Sequence, residues 1–315
     1  MKGFRKKRGS NIPLNENQGV WDPQFKRLYQ LLDSTKPKSS NFLISIVIPV
    51  YNEEKTISKI LTSVPRNEHV EIIVVDDHSS DNSLTKIQQI SNLPNLKLIR
   101  HSVNKGYGSA LLSGIKNSEA DIIITMDSDG QHQVADLFNL VSPILNKEAD
   151  ITVGSRYIGT YNYRISTSTR IGEAVIEKFI LIFFRQKVMN NQGGFRAFDK
   201  KARKVFENIK FEDYAFTTEL LLKAALSKFK IKEVPIHLSD REHGTTKIIL
   251  TKLILHLILC IVYYTIQWVN RPYVNKWMIR RVIFLKKLPI YGKPKRIQRI
   301  PSEGDKLISM AFITK

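Results

Sequence analysis

From residue 43 onward the chain alternates short, largely β-branched apolar runs with segments of helical spacing. No other feature constrains the fold as much. Residues 43–49, 70–75, 96–100, 121–126 and 150–154 read as strands, most of them apolar enough to be covered on both faces. Between them Ile57, Ile60, Leu61 and Val64 recur at i, i+3, i+4 and i+7, and Val134, Leu137, Phe138, Val141 and Leu145 repeat the pattern. Residues 110–115 supply a further helical segment. Such alternation predicts an α/β fold, a mostly parallel sheet with helices on both faces. Residues 21–32 carry a short helical pattern. After residue 170 an apolar block spans 173–185, followed by a helix over 217–229 and a strand over 231–236.

The last apolar segment, residues 248–269, approaches the roughly 20 residues that a bilayer crossing needs. Lys252, His256, Cys260, Tyr263 and Gln267 share one of its faces, however. A spanning helix keeps such a stripe only where other helices cover it, so the segment is expected to lie amphipathically in a membrane interface. Charge agrees. Of the net +20, residues 1–40 carry nine Lys/Arg against three Asp/Glu, and residues 270–315 carry twelve against two. The body between them is nearly balanced. Basic flanks beside an apolar helix suit an anionic lipid surface. Nucleic acid would be the competing partner, but no helix-turn-helix, zinc finger or aromatic RNA-binding strand is present to read bases. The chain thus divides into a basic, largely disordered tail (1–40), a globular domain (41–247), a membrane-associated helix (248–269) and a basic extension (270–315). A single cysteine, Cys260, excludes an internal disulfide. The basic N-terminus is followed by no apolar run, so the domain is expected on the cytoplasmic side.

In open α/β sheets ligands bind at the carboxyl ends of the strands, and the polar clusters fall there. The first strand ends in Pro49-Val50-Tyr51-Asn52-Glu53, the second in Asp76-Asp77-His78-Ser79-Ser80-Asp81, the fourth in Asp127-Ser128-Asp129-Gly130-Gln131-His132, and the next in Gly154-Ser155-Arg156-Tyr157. Asp127 and Asp129, two apart, can face one cation. Mg²⁺ or Mn²⁺ would take such oxygens and share them with phosphates, and Gln131 could add a carbonyl. The alternative is a turn in which these Asp cap the next helix. Asp76 and Asp77 end a buried strand, where ionised groups need partners; a nucleoside offers hydroxyl and ring N–H donors, while Ser79, Ser80 and Asp81 also read as a helix cap. The loop Asn104-Lys105-Gly106-Tyr107-Gly108 lets backbone approach a ligand. Neither G-x-G-x-x-G nor a P-loop occurs. Arg156, Arg170 and the run Arg241-Glu242-His243-Gly244-Thr245-Thr246-Lys247 are candidate phosphate contacts.

These motifs, with Gly194-Phe195-Arg196, resemble family-two inverting glycosyltransferases, the branch of dolichol-phosphate mannose synthases and related polyprenyl-phosphate sugar synthases. The resemblance runs from about residue 43 to 268. It implies a GT-A fold in which Pro49, Tyr51, Glu53 and Asp77, with Asp76, Lys105 and Asp127 beside them, serve the nucleotide. Asp127, Asp129 and Gln131 would hold a divalent metal. Arg156, Arg170, Arg241 and Lys247 would meet phosphates, with Asp129, Arg156 and Arg241 central to catalysis. The implied donor is GDP-mannose, or alternatively UDP-glucose, and the acceptor a polyprenyl or dolichyl phosphate. A lipid phosphate is already anionic; a sugar hydroxyl would need a base, for which Glu212 or Asp213 are the candidates. Where the family usually has an acidic residue, this chain has Asn190.

Overall fold

A computed structural model describes residues 23–269 except 36, 38–41, 66, 91, 94, 162–166, 185, 214 and 241–249. In chain order its elements are α1 (Pro23–Ser34), β1 (Ile44–Val50), α2 (Ile57–Ser63), β2 (Val70–Asp76), α3 (Ser83–Gln89), β3 (Leu96–Arg100), α4 (Tyr107–Lys116) and β4 (Ile122–Thr125). There follow α5 (Leu137–Leu145), β5 (Ile151–Tyr161), α6 (Thr167–Phe184), β6 (Arg196–Asp199), α7 (Phe216–Leu226), β7 (Ile231–Leu238) and α8 (Leu250–Val269). Short 3₁₀ turns at Val134–Asp136 and Lys200–Phe206 precede α5 and follow β6.

The strands form one seven-stranded sheet in the order β3-β2-β1-β4-β6-β5-β7. β1 pairs in parallel with β2 and β4, β2 with β3, and β5 with β7. β6 alone runs antiparallel, between β4 and β5. Every residue of β1 and of β2 is buried. Alternate side chains feed two cores. Ile46, Ile48, Ile72 and Val74 pack with α1, α2 and α5. Val47, Ile73 and Val75 pack with α4 and α7. A third cluster joins Ile176 and Ile180 of α6 to α7 and to Leu257, Cys260, Tyr263 and Tyr264 of α8.

The predicted α/β sheet with helices on both faces is the one observed. α1, within the stretch read as tail, buries Leu28 and Leu32 in the first core. The sequence pattern missed β6 and ended β5 too early. β6 places Arg196 opposite Thr125, so the chain preceding it, Gly194-Phe195, arrives at the same sheet edge where β4 ends. β1 is the switch point, because the chain winds from it to β2 and β3 on one side and returns to β4 on the other. That creates a crevice at the carboxyl ends of β1 and β4.

The middle of the stripe on α8 is turned inward, and the Lys252 side chain lies outside those described. His256, Cys260 and Tyr263 are buried, Gln267 is exposed, and Ile254, Ile258 and Val262 point outward. Its polar atoms face α7 and the turn before it because their partners lie there. On α6, Val175, Leu181 and Ile182 are also exposed. Among the described residues no helix is long and apolar enough to cross a membrane.

Phe198 of β6 is buried and meets Phe206 edge-on at 4.8 Å. Phe198→Ala is expected to lower unfolding free energy by about 3–5 kcal/mol, measured by urea denaturation; a loss below about 1 kcal/mol would show that β6 contributes little to the sheet.

Candidate active site

The two loops that follow β1 and β2 are sewn together by side chains. Asn52 and His78 both take positive φ, 58° and 63°, turning the chain sharply at the strand ends. The Ser79 hydroxyl accepts from the Asn52 amide at 3.1 Å, the Ser83 hydroxyl from the Glu53 amide at 2.8 Å, and the Asp81 carboxylate from the Glu54 amide at 3.1 Å. Asn52 returns a bond by accepting from the Ser80 amide at 2.7 Å. The serines and Asp81 therefore brace the first loop, while the other Asp81 oxygen accepts from the Ser83 amide at 2.9 Å and so serves the start of α3.

Asp77 is fully committed. Its oxygens accept from the Lys105 and Gly106 amides at 2.8 and 2.7 Å, and the His101 ring bonds it at 2.7 Å. It thus shapes the 104–108 loop, with the exposed Lys105 side chain at its tip. Asp76 differs. It is 0% exposed, and among the described residues its Oδ2 has no hydrogen-bond partner; the Arg100 Nε lies 3.9 Å away. A buried carboxylate oxygen without a donor is costly, and a donor arriving from a ligand would relieve that cost.

At the end of β4 the Asp127 carboxylate accepts from the Tyr107 hydroxyl at 2.7 Å and lies 3.1 Å from the His132 Nε2. Asp129 is buried and accepts from the Gln131 amide at 3.1 Å. Ser128 between them donates to the Pro49 carbonyl at 2.7 Å, and Thr56 donates to the Ser128 carbonyl at 2.6 Å, tying this loop to the end of β1. Burial alone would lower the His132 pKa, yet its bond to Asp127 and the charges of Asp127, Asp129 and Asp136 outweigh burial and raise it. The same negative field would attract a cation. Among the described residues no three His, Cys, Asp or Glu side chains gather into a closed metal cage. Two carboxylates are the donor set that Mg²⁺ or Mn²⁺ takes when substrate phosphates complete its shell, so the residues fit such an ion. Gln131 donates its side-chain amide to the Ser239 carbonyl at 3.0 Å, which leaves Oε1 as the only side-chain atom it could offer a metal.

The Gly194-Phe195-Arg196 motif builds the floor. A Cβ on Gly194 would lie 2.4 Å from the Tyr107 hydroxyl and 2.5 Å from Asp127 Oδ1. Phe195 stacks on His132 at 4.8 Å. Arg196 is buried and donates to the carbonyls of Gly193, Thr217 and Asn191 at 2.9, 2.6 and 2.8 Å; burial pulls its pKa down to about 10. Asn190 donates to the Gly154 carbonyl at 2.6 Å, a bond an ionised Asp could not make.

The expected phosphate contacts fare unequally. Arg156 is paired with Glu173 of α6 at 2.5 Å and lies over the Tyr157 ring, whose hydroxyl also donates to Glu173. Burial first, then Glu173, push the Tyr157 pKa up to about 12. Arg170 is exposed on α6. Arg241 and Lys247 lie outside the described residues, although Ser239, two residues before Arg241, exchanges bonds with Gln131 in both directions. The two candidate bases are held in place: Glu212 accepts from the Ser109 hydroxyl at 2.5 Å, and Asp213 is bonded by His256. Pro49, Tyr51, Glu53, Asp76, Asp77, Lys105, Asp127, Asp129 and Gln131 all fall at the carboxyl edge. Sequence reasoning did not single out Tyr107, His101 or Glu173 as partners in this site. Tyr107 was signalled only by its place between two glycines.

A family model described as Glycosyl transferase family 2 matches residues 45–206. The chain is 31% identical over 223 residues to the UDP-N-acetylglucosamine–dolichyl-phosphate N-acetylglucosaminyltransferase of Methanococcus voltae, covering 65% of this chain and 89% of that protein. It is 29% identical to the dolichol-phosphate mannosyltransferase of Pyrococcus furiosus, covering 65% of this chain and 59% of the relative. Glucosyl-3-phosphoglycerate synthase of Mycobacterium tuberculosis, solved in complex with Mn²⁺, UDP and glucosyl-3-phosphoglycerate, shares the fold with a TM-score of 0.54 at 18% identity, over 71% of this chain and 80% of that one. The same synthase is also solved with Mg²⁺ and UDP.

A methyl group on Gly194 must displace Tyr107 or Asp127. Should Asp127 hold a divalent ion, Gly194→Ala is expected to weaken Mn²⁺ binding, followed by calorimetry in the presence of nucleotide, by about tenfold or more. Unchanged affinity would show that Asp127 is not held in place from this side.

Proposed function

The chain belongs to glycosyl transferase family 2 and has its GT-A sheet, and from that premise we propose that it moves a hexose from a nucleotide diphosphate sugar to a polyprenyl or dolichyl phosphate at the cytoplasmic face of a membrane. The observation that carries this reading is the Asp127/Asp129 pair at the end of β4, across β1 from Asp76, one oxygen of which lacks a donor among the described residues. The nucleoside enters between residues 49–53 and 76–77, where Asp77 keeps the Lys105–Gly106 turn in place and the buried Asp76 would accept a donor only after a local opening. Asp127 and Asp129 hold Mg²⁺ or Mn²⁺, with Gln131 contributing through its carbonyl oxygen or by fastening the loop. When bound, that ion neutralises charge on the departing diphosphate.

An oxygen of the acceptor phosphate attacks the anomeric carbon. The bond from that carbon to the diphosphate oxygen breaks, and the nucleoside diphosphate leaves with the electron pair. No proton has to be removed from the acceptor, which agrees with Glu212 and Asp213 being spent on bonds within the protein. The chain's task is orientation and charge compensation. Arg241, Lys247 and Arg170 serve the acceptor phosphate, and Arg156, steadied by Glu173, serves the donor side. The Ser239–Gln131 bonds support this division, because they start the segment carrying Arg241 beside the metal carboxylates. The outward apolar faces of α6 and α8, with the basic flanks, support attachment to an anionic membrane surface.

GDP-mannose is the donor expected from the resemblance. A UDP-sugar is a second reading, favoured by the likeness to the M. voltae enzyme. Incubating the protein with labelled GDP-mannose, UDP-glucose or UDP-N-acetylglucosamine, a polyprenyl phosphate and Mn²⁺ should carry label from one donor into the organic phase. EDTA should abolish transfer, and Asp129→Ala should reduce it by roughly a thousandfold. Label that stays aqueous with every donor, or undiminished transfer in EDTA, would overturn the proposal. Arg241→Ala should slow lipid transfer by about ten- to a hundredfold while leaving nucleotide affinity, measured by calorimetry, unchanged. Equal losses in both would move Arg241 to the donor side.

A further inference from the structure

α8 lies beyond the segment that the family model matches, yet two of its buried side chains reach toward the donor site. The His256 Nδ1 bonds the Asp213 carboxylate. The Tyr264 hydroxyl donates to Glu219 of α7, whose two oxygens also accept from the amides of Lys210 and Phe211 at 2.8 and 2.7 Å. Both contacts therefore fix the turn of residues 210–213, Tyr264 through its first half and His256 through its second. That turn in turn holds the donor-side loop. The Glu212 carbonyl accepts from the Gly108 amide at 2.9 Å, and its carboxylate accepts from the Ser109 hydroxyl at 2.5 Å. The approach is so close that a Cβ on Gly108 would stand 2.6 Å from the Glu212 carbonyl oxygen. Tyr107, between Gly106 and Gly108, then bonds Asp127.

We infer that α8 is a positioning element for the donor site, acting through His256 and Tyr264 on the 210–213 turn, and through Glu212 on the loop that seats Tyr107 against Asp127. The chain of contacts is continuous: every step from His256 to Asp127 is a hydrogen bond or adjacent backbone. Packing alone does not require it. Leu257 and Cys260 already bury the inner face of α8 against α7, and an apolar side chain at 256 would fill the same space without reaching Asp213. His256 and Tyr264 bond Asp213 and Glu219 and are linked to Asp127 through the turn and the 107–109 loop, so each is a positioning residue. That the loop serves a nucleotide rests on the function proposed above; that α8 holds the loop does not.

Hydrogen exchange on the ligand-free full chain separates the two. Amides in the peptide covering residues 105–110 are followed by mass spectrometry in His256→Leu, Tyr264→Phe, His256→Asn and Leu257→Ala. Asn can present a side-chain N–H near the place of Nδ1, and Leu257→Ala loosens the same helix without touching the polar chain. Exchange in this peptide should be about tenfold faster in His256→Leu and Tyr264→Phe. It should stay near wild type in His256→Asn, and in Leu257→Ala should change no more than in peptides of the sheet. Unchanged exchange in both His256→Leu and Tyr264→Phe would overturn the inference, as would an equal acceleration in Leu257→Ala or failure of His256→Asn to restore protection. In parallel, Mn²⁺-dependent affinity for GDP or UDP should fall by about tenfold in His256→Leu. Wild-type protein that binds neither nucleotide would sink the proposed function while leaving the exchange result to judge the role of α8.

Discussion

A carboxylate taken out of water must be given donors or held beside cations, and this molecule is arranged around that requirement. Parallel strands buried on both faces have to end in polar residues somewhere. Here the ends of β2 and β4 are acidic, and several of the buried acids recruit a remote segment to satisfy them. Asp77 gathers the 104–106 loop and His101. Asp136 at the start of α5 holds the His237 amide of β7 at 2.7 Å. Glu219 collects the 210–211 backbone and Tyr264, although burial still keeps its pKa raised. Connections that look like loops on the sequence are thus fixed by the acids they serve. Asp76 stands apart because one of its oxygens has no such donor within the described residues.

The buried Arg196 is the counterpart. Its guanidinium reaches three backbone carbonyls, and its charge also feels Tyr107, Asp127 and Glu233, which partly offset the effect of burial. A cation fixed beneath the crevice limits how much negative charge Asp127 and Asp129 present to the space above. The antiparallel sense of β6 makes this possible. A parallel strand in the same place would deliver Arg196 and Gly194 to the opposite edge of the sheet.

How far the sequence announced all this depends on the range of the interaction. Buried strands were legible because their β-branched runs are local, and the acidic strand ends because a motif needs only neighbouring residues. β6 was not legible. It is four residues long, begins with Arg and ends with Asp, and becomes a strand only because β4 and β5 flank it. The partners of the site acids were equally hidden, since the Tyr107–Asp127 and Gln131–Ser239 contacts span separations of 20 and 108 residues. Spacing on α8 revealed that His256, Cys260 and Tyr263 share a face. It could not reveal that the face looks inward, because that is decided by Asp213 and Glu219 on other elements.

Cys260 sits on that inward face, fully buried, with burial and the nearby Glu219 and Asp213 pushing its thiol well above its ordinary pKa. It is the only cysteine in the chain. A thiol so placed reacts only when the helix lifts and water reaches it. The molecule therefore carries its own clock: the alkylation rate of this one sulfur, read under native conditions, counts the openings of α8 without any label having to be introduced.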